Sequence, residues 1–161
     1  MTRTRLARND SAPGFVLTTD TGAVFNLADH RGRFVVLFFY PQDDTEGCTV
    51  ENCEFSNLAA EFDALNADVL GISPDTVADH ARFRARYGLK SHLAADPDHV
   101  AIAAYGVWGD KKLFGRPYRG LIRTTFVVAP DGSIAAVLPV TRIKGHAEEV
   151  LGIVRSLSAK T

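Results

Sequence analysis

The sequence has little of several things at once. It holds two cysteines, one methionine and one tryptophan in 161 residues. It also lacks a charge excess, since 18 Lys+Arg against 19 Asp+Glu give a formal net charge of −1. That balance removes the basic footprint by which proteins hold nucleic acid or an anionic membrane surface, so neither partner is expected. No apolar run approaches the roughly 20 residues of a membrane-spanning helix, and no apolar signal-peptide core follows the first residues. A cytoplasmic location is therefore expected. Two cysteines are too few to staple a secreted scaffold. In a reducing compartment a close pair points instead to catalysis, sensing or metal binding.

What is present is an ordinary globular composition, 46% hydrophobic and 23% charged. Residues 1–161 read as one domain with a sizeable core. Residues 1–11, which carry Arg3, Arg5 and Arg8, read as a flexible amino terminus. Asp20-Thr21-Gly22 between Phe15-Val16-Leu17 and Val24-Phe25 predicts a short hairpin near the start. Phe34 to Tyr40 is continuously apolar and rich in β-formers, as befits a central strand buried on both faces. Phe55, Leu58, Phe62 and Leu65 recur at helical spacing, followed by a strand at Val69–Ile72. A helix is predicted from Thr76 to Tyr87, stopped by Gly88. A short strand at His92–Ala94 and a brief helix from Val100 to Tyr105 follow. Thr124–Val128 and Ile134–Leu138 flank Ala129-Pro130-Asp131-Gly132-Ser133 as a hairpin, and Glu148 to Leu157 closes the chain as a helix. The expected class is α/β: a mixed central sheet flanked by helices on both faces, an order that matches the thioredoxin-like architecture.

The two cysteines, Cys48 and Cys53, stand where the central strand gives way to a helical pattern. A helix N-terminus favours negative charge, and thiolate is the nucleophilic form of cysteine. Thr45, three residues before Cys48, brings a hydroxyl within reach of the sulfur or of an oxygen bound beside it. Gly47 leaves room for a small oxidant at the backbone, and Pro41 stiffens the entry and offers an apolar wall. Asp43, Asp44, Glu46 and Glu51 crowd the same stretch with negative charge, so a cation from elsewhere is required. Arg123, immediately before the strongest downstream strand, is the first candidate, with Arg119 and Arg116 behind it.

The pair itself is constrained. Positions five apart on an intact α-helix are about 8 to 9 Å apart between Cα atoms, beyond the roughly 7 Å that a disulfide spans without backbone movement. A Cys48–Cys53 bond therefore requires the first helical turns to unwind. Ionisation alone does not make a thiol fast with an oxidant either. A thiol of ordinary pKa, about 8.5, is already about 3% thiolate at pH 7, so full ionisation raises a rate at most about 30-fold, or about 2 kcal/mol. The rest has to come from donors placed where charge develops in the transition state.

Pro41-x-x-x-Thr45-x-x-Cys48 resembles the active-site signature of the peroxiredoxins. The longer string from Phe39-Tyr40-Pro41 through Gly47-Cys48-Thr49-x-Glu51-x-x-x-Phe55 is similar to the Q-type, or bacterioferritin-comigratory-protein, branch. The similarity continues through Tyr105-Gly106-Val107-Trp108-Gly109, Gly120-Leu121-Ile122-Arg123-Thr124-Thr125-Phe126 and Asp131-Gly132. The resemblance implies a thioredoxin fold and a thiol peroxidase with no metal, haem or flavin. It implies that Cys48 attacks the hydroperoxide and becomes a sulfenic acid, and that Cys53 resolves it as an intramolecular disulfide. Thr45 and Arg123 would hold and polarise the peroxide, Glu51 would orient the arginine, and thioredoxin or a similar dithiol would restore both thiols. A monomer is expected, because the resolving thiol lies in the same chain. Glu46 departs from the branch, which commonly has proline there; a more mobile loop and altered reductant docking are its expected consequences.

Other residues take plainer roles. His30, His80, His92, His99 and His146 lack metal-ligand spacing and are expected to be structural or superficial. Lys111, Lys112, Arg116 and Arg119, punctuated by glycines, read as a solvated basic loop, or alternatively as a surface that docks a reductant. Trp108 reads as a packing anchor. Two other functions share the thiol pair. A peroxide-sensing binding module would use the same oxidation without turnover. A copper-handling protein would need two thiols and a suitably placed His or Met; the only Met is Met1, and the cysteine spacing differs from a CxxxC motif.

Overall fold

The strand Phe34–Phe39 is buried along its whole length, and the molecule is layered around it. The computed structural model describes residues 4–160. In chain order the elements are β1 (Val16–Thr19), β2 (Val24–Asn26), a 3₁₀ turn (Leu27–His30), β3 (Phe34–Phe39), α1 (Glu46–Asn57), α2 (Ala59–Ala64), β4 (Ala67–Ser73) and α3 (Val77–Tyr87). Then follow β5 (His92–Ala95), α4 (Val100–Ala104), β6 (Trp108–Leu113), β7 (Arg116–Leu121), β8 (Thr124–Val128), β9 (Ile134–Pro139) and α5 (His146–Ser158). Seven strands form one sheet in the order β2-β1-β5-β4-β3-β8-β9. The β3–β4 and β4–β5 pairs are parallel, and β3–β8 and β8–β9 are antiparallel. This is the mixed sheet expected, and the thioredoxin-like layering follows from it.

Because successive side chains of a strand point to opposite faces, β3 serves two cores. Val35, Leu37 and Phe39 pack with Ile102, Tyr105 and Phe126 on one face. Phe34, Val36, Phe38 and Tyr40 pack with Phe55, Phe62, Phe83, Val150 and Val154 on the other, and Cys48 belongs to that second cluster. Phe38 stacks on Phe55 of α1, with ring centroids 4.3 Å apart and planes 14° from parallel. That stack fixes the helix carrying both cysteines to the centre of the sheet.

Three local readings change. The single helix expected over Phe55 to Leu65 is two, α1 and α2, meeting at Leu58. Leu58 N–H bonds to Phe55 O in a tightened turn, while Ser56 Oγ accepts from Lys90 N–H and ties the helix end to the loop before β5. The stretch containing Lys111, Lys112, Arg116 and Arg119, expected as a loop, is the two-stranded hairpin β6–β7. Its two-residue turn, Phe114-Gly115, has both φ angles positive, the geometry of a type I′ connection, and a phenylalanine in the first position hides that signal. The amino-terminal segment expected to be flexible is tied to the body from Thr4 onward. Thr4 Oγ1 donates to Tyr105 O, Asn9 N–H to Ile134 O, and Ser11 forms a β-bridge with Ser133. Residues 1–3 lie outside the described residues.

Gly71 in β4 lies beside Phe38 in the register and is what lets that ring lie across the sheet. A Cβ there would stand 2.7 Å from Phe38 Cζ and 2.9 Å from Leu93 Cδ2. Both neighbours are fully buried, so neither side chain has free space to yield into. Gly71→Ala is expected to destabilise the fold by about 1–3 kcal/mol, the usual range for overpacking a close-packed core. Urea unfolding checks this, with an unchanged midpoint as the opposing result.

Candidate active site

Tyr40 N–H makes the last β3-to-β4 bond, to Ile72 O, and Pro41, having no N–H, ends the ladder. The chain then turns through residues 42–44 to Thr45, the extended N-cap residue of α1. Cys48 is the third residue of the helix and has no exposed surface. Its Sγ accepts a hydrogen bond from Arg123 Nη2 at 3.0 Å. Arg123 Nη1 donates to Glu51 Oε1 at 2.8 Å. Cys48 and Glu51 are three apart on α1 and so share a helix face, which lets one planar guanidinium serve both. Arg123 reaches this face from the junction of β7 and β8, and Val140 N–H bonds to its carbonyl.

Gly47 acquires a role beyond access to the backbone. A Cβ at this position would lie 3.2 Å from Arg123 Nη2 and 2.9 Å from Ile143 Cδ1. The missing side chain is the space in which the guanidinium lies. Among the sequence candidates, the structure therefore brings together Gly47, Cys48, Glu51 and Arg123. Pro41 is half-buried at the strand exit. Thr45 is exposed, and its hydroxyl donates to Gln42 O at 3.0 Å rather than to the sulfur or the helix's first turn. Arg119 pairs with Asp110 on the hairpin, and Arg116 is exposed there, so Arg123 is the arginine at the thiol.

Cys53 is half-buried on the same uninterrupted helix, and both thiols are free. Burial pushes the Cys53 thiol up, which keeps it protonated. Asn52 Nδ2 donates to Cys48 O at 2.9 Å, an additional bond across the first turns. Glu51 is almost wholly buried, and its Oε2 has no hydrogen-bond partner. Burial raises its pKa from 4.5 to about 7 against the opposing pull of Arg123.

The acidic loop does not surround the sulfur as its sequence suggests. Asp44 accepts from Arg86 Nη1 at 2.6 Å and from Tyr87 OH at 2.7 Å, both on α3. Asp43 accepts from Tyr40 OH at 2.7 Å and lies 2.6 Å from His80 Nδ1. Asp43 N–H in turn donates to Asp75 Oδ2 at 2.8 Å. Glu46 points into solvent. His80 is thus a fully buried partner of the loop, and only folding brings it to a residue 37 positions away. Asp43, Asp75 and His80 also stand close enough to share a cation, though hydrogen bonds already occupy all three. His146 is buried as well, 2.7 Å from Thr125 Oγ1, and burial lowers its pKa.

Glu51 sets a pH dependence whose sign follows from its raised pKa. The folded state holds the proton more tightly than the unfolded chain, so this group favours folding most below about pH 4.5. That advantage fades as pH rises through about 7. Its full size is about 3 kcal/mol at most. Glu51→Gln keeps an oxygen for Arg123 and removes the ionisation. Denaturation midpoints across this window should fall with rising pH in the wild type and fall less in the variant; parallel profiles would contradict the assignment.

Residues 9–137 match the AhpC/TSA family model. A Coxiella burnetii protein named putative peroxiredoxin bcp is 43% identical over 141 residues, covering 88% of this chain and 93% of the relative. Bacillus subtilis peroxiredoxin Bcp is 36% identical over 149 residues, covering 92% and 95%. Among solved structures, a Xylella fastidiosa PrxQ variant superposes with a TM-score of 0.90 at 30% identity, covering 96% of this chain and 99% of its own. A Xanthomonas campestris bacterioferritin comigratory protein, described for its alkyl peroxide reduction activity, gives 0.86 at 31% identity, covering 96% and 99%. A family model spanning most of the chain and relatives aligned nearly end to end lead to one conclusion: the chain belongs to the AhpC/TSA family, as a peroxiredoxin of the Bcp type.

Proposed function

We propose that this peroxiredoxin reduces hydrogen peroxide and organic hydroperoxides by attack of Cys48. The carrying observation is the single guanidinium of Arg123 that touches both Cys48 Sγ and Glu51 Oε1. The thiolate attacks the terminal oxygen, an S–O bond forms as the O–O bond breaks, and the departing alkoxide or hydroxide takes a proton to leave as alcohol or water. Negative charge thus moves from sulfur onto oxygen, and a fixed cation beside the sulfur stabilises it along the way. The Thr45 hydroxyl, now donating to Gln42 O, turns to the peroxide as it binds. Glu51 holds the guanidinium in plane, and Pro41 and Gly47 shape the approach.

The second step consumes the sulfenic acid. The Cys53 thiol attacks the Cys48 sulfur, an S–S bond forms, and the oxygen leaves as water. A dithiol of the thioredoxin kind then transfers two electrons and two protons, and both thiols return. No metal, haem or flavin enters this scheme. The chain is proposed to work as a monomer in the cytoplasm; among the described residues no helix is long and apolar enough to cross a membrane. A peroxide-sensing binding module would share the first oxidation but would not turn over.

Cys48→Ser is expected to abolish peroxide consumption, and retained turnover would overturn the assignment. Cys53→Ser should still consume one equivalent of peroxide but fail to cycle with thioredoxin, thioredoxin reductase and NADPH. Steady NADPH oxidation by the wild type separates the enzyme from the sensor. Arg123→Met should lower the second-order rate with hydrogen peroxide by about 10²-fold or more, the usual loss when a preorganised charge donor is removed. Peptide mapping after one equivalent of peroxide should find Cys48 joined to Cys53, and a different linkage would remove Cys53 from the cycle.

A further inference from the structure

The segment joining β3 to α1 is held mainly from α3 and the start of that helix, through contacts that the chemistry above does not use. Asp44 sits in the left-handed region, φ 60°, which a non-glycine residue adopts only at a cost. Its carboxylate is gripped by Arg86 and Tyr87 at the surface. One residue earlier, Asp43 is anchored by backbone and side chain together. Its N–H donates to Asp75 Oδ2, which also accepts from Ser73 Oγ at 2.6 Å. Its carboxylate takes Tyr40 OH on one oxygen and lies 2.6 Å from His80 Nδ1 with the other.

The His80 pair is the central one. Nε2 lies 3.1 Å from Ala94 O, and a carbonyl only accepts, so Nε2 carries a hydrogen. Nδ1 then meets a carboxylate oxygen of Asp43, so one proton is shared between the two side chains. The His80 side chain is 0% exposed and that of Asp43 is 7% exposed. Removing one member of a buried pair leaves the other uncompensated, so the contact is made whole or given up by moving the loop into water.

The loop it holds leads directly into the turn that must come apart. Cys48 and Cys53 lie on one continuous helix, where residues five apart cannot be bridged without unwinding. Attack on peroxide needs that turn intact and Cys48 against Arg123. Resolution needs it released. We propose that His80 is a positioning residue which, through Asp43, latches residues 40–45 onto α3 and so sets the balance between the wound turn that reacts with peroxide and the unwound turn that closes the disulfide. This rests on the Cys48–Cys53 cycle proposed above. Arg86 and Tyr87 reinforce the latch from the surface, where a pair to Asp44 is weaker because water screens it.

The test separates the two steps. Hydrogen peroxide is mixed with each protein, and species are trapped by rapid quench and counted by mass spectrometry. Oxidation of Cys48 is timed in the Cys53→Ser background, and disulfide closure is timed in the full chain. In His80→Ala, oxidation should slow by about tenfold while closure accelerates by a similar factor, a shift of about 100-fold in the balance, equivalent to about 2.7 kcal/mol. Asp43→Asn preserves the size and the acceptor for Tyr40 OH; it should move both rates in the same directions by less, and it decides the matter if His80→Ala does not fold. Arg155→Ala, at an exposed position of α5, should move neither rate. Both steps slowing together, both accelerating, or neither changing would overturn the latch. If the wild type forms no sulfenic acid or no Cys48–Cys53 bond, the cycle itself fails instead.

Discussion

One guanidinium organises this site. Arg123 donates to Cys48 Sγ and Glu51 Oε1 with two nitrogens of the same rigid plane. Its position reflects choices made throughout the chain. The helix face has to present a thiol and a carboxylate three residues apart. Position 47 has to lack a side chain, since a Cβ would press on the guanidinium and on Ile143. The antiparallel pairing of β8 against β3, Phe39 opposite Thr124, brings Arg123 to the same end of the sheet as the β3 exit. A lysine could supply the charge but not the two fixed, diverging donors. Glu51 bears the cost of the arrangement: it is buried with one oxygen unpaired and its pKa is displaced upward.

Much of this is legible in the residues, for physical reasons. The β3 run is apolar on both faces because both faces are covered, and a seven-residue apolar stretch states that directly. Thr45, Gly47, Cys48 and Glu51 lie close in sequence because one turn and one helix face carry them. Arg123 is legible from local chemistry as a cation at a strand edge that offsets nearby negative charge, and the family resemblance points to it independently. It does lie at the sulfur, although part of that negative charge lies elsewhere. Asp43 and Asp44 do not bear on the sulfur; α3 takes up both. The His80–Asp43 contact left no trace in spacing or composition, since a buried histidine and a surface one look alike until the chain is folded. The basic hairpin was concealed for a different reason, because Phe114 occupies a turn position where glycine, asparagine or aspartate would have declared it.

The helix that carries the chemistry is unevenly built, and this has consequences for the cycle. Its later half is fastened to the sheet by the Phe38–Phe55 stack, and its end by the Ser56–Lys90 bond. Its first two turns contain Gly47, Thr49, Val50 and Asn52, all poor helix formers. Together they disfavour helix by about 2 to 3 kcal/mol relative to alanine. Thr49 Oγ1 also donates to Thr45 O at 2.7 Å, sharing that carbonyl with the Thr49 N–H, a back-bond that slightly weakens a helix. Nor does the Thr45 side chain cap the helix. What keeps the turn wound comes largely from outside it: Arg123 on one side and the α3 contacts to Asp43 and Asp44 on the other. Oxidation disturbs the first of these directly, because an oxygen added to the sulfur occupies space next to the guanidinium. In the proposed cycle, a weak helix start between a strong anchor downstream and a breakable one upstream would confine unwinding to the segment that contains both cysteines. Cys53 lies just before Phe55, so in that cycle it would meet the Cys48 sulfur with the aromatic anchor still in place. A disulfide spanning five residues is then no violation of helix geometry, because the helix gives way only where its own residues support it least.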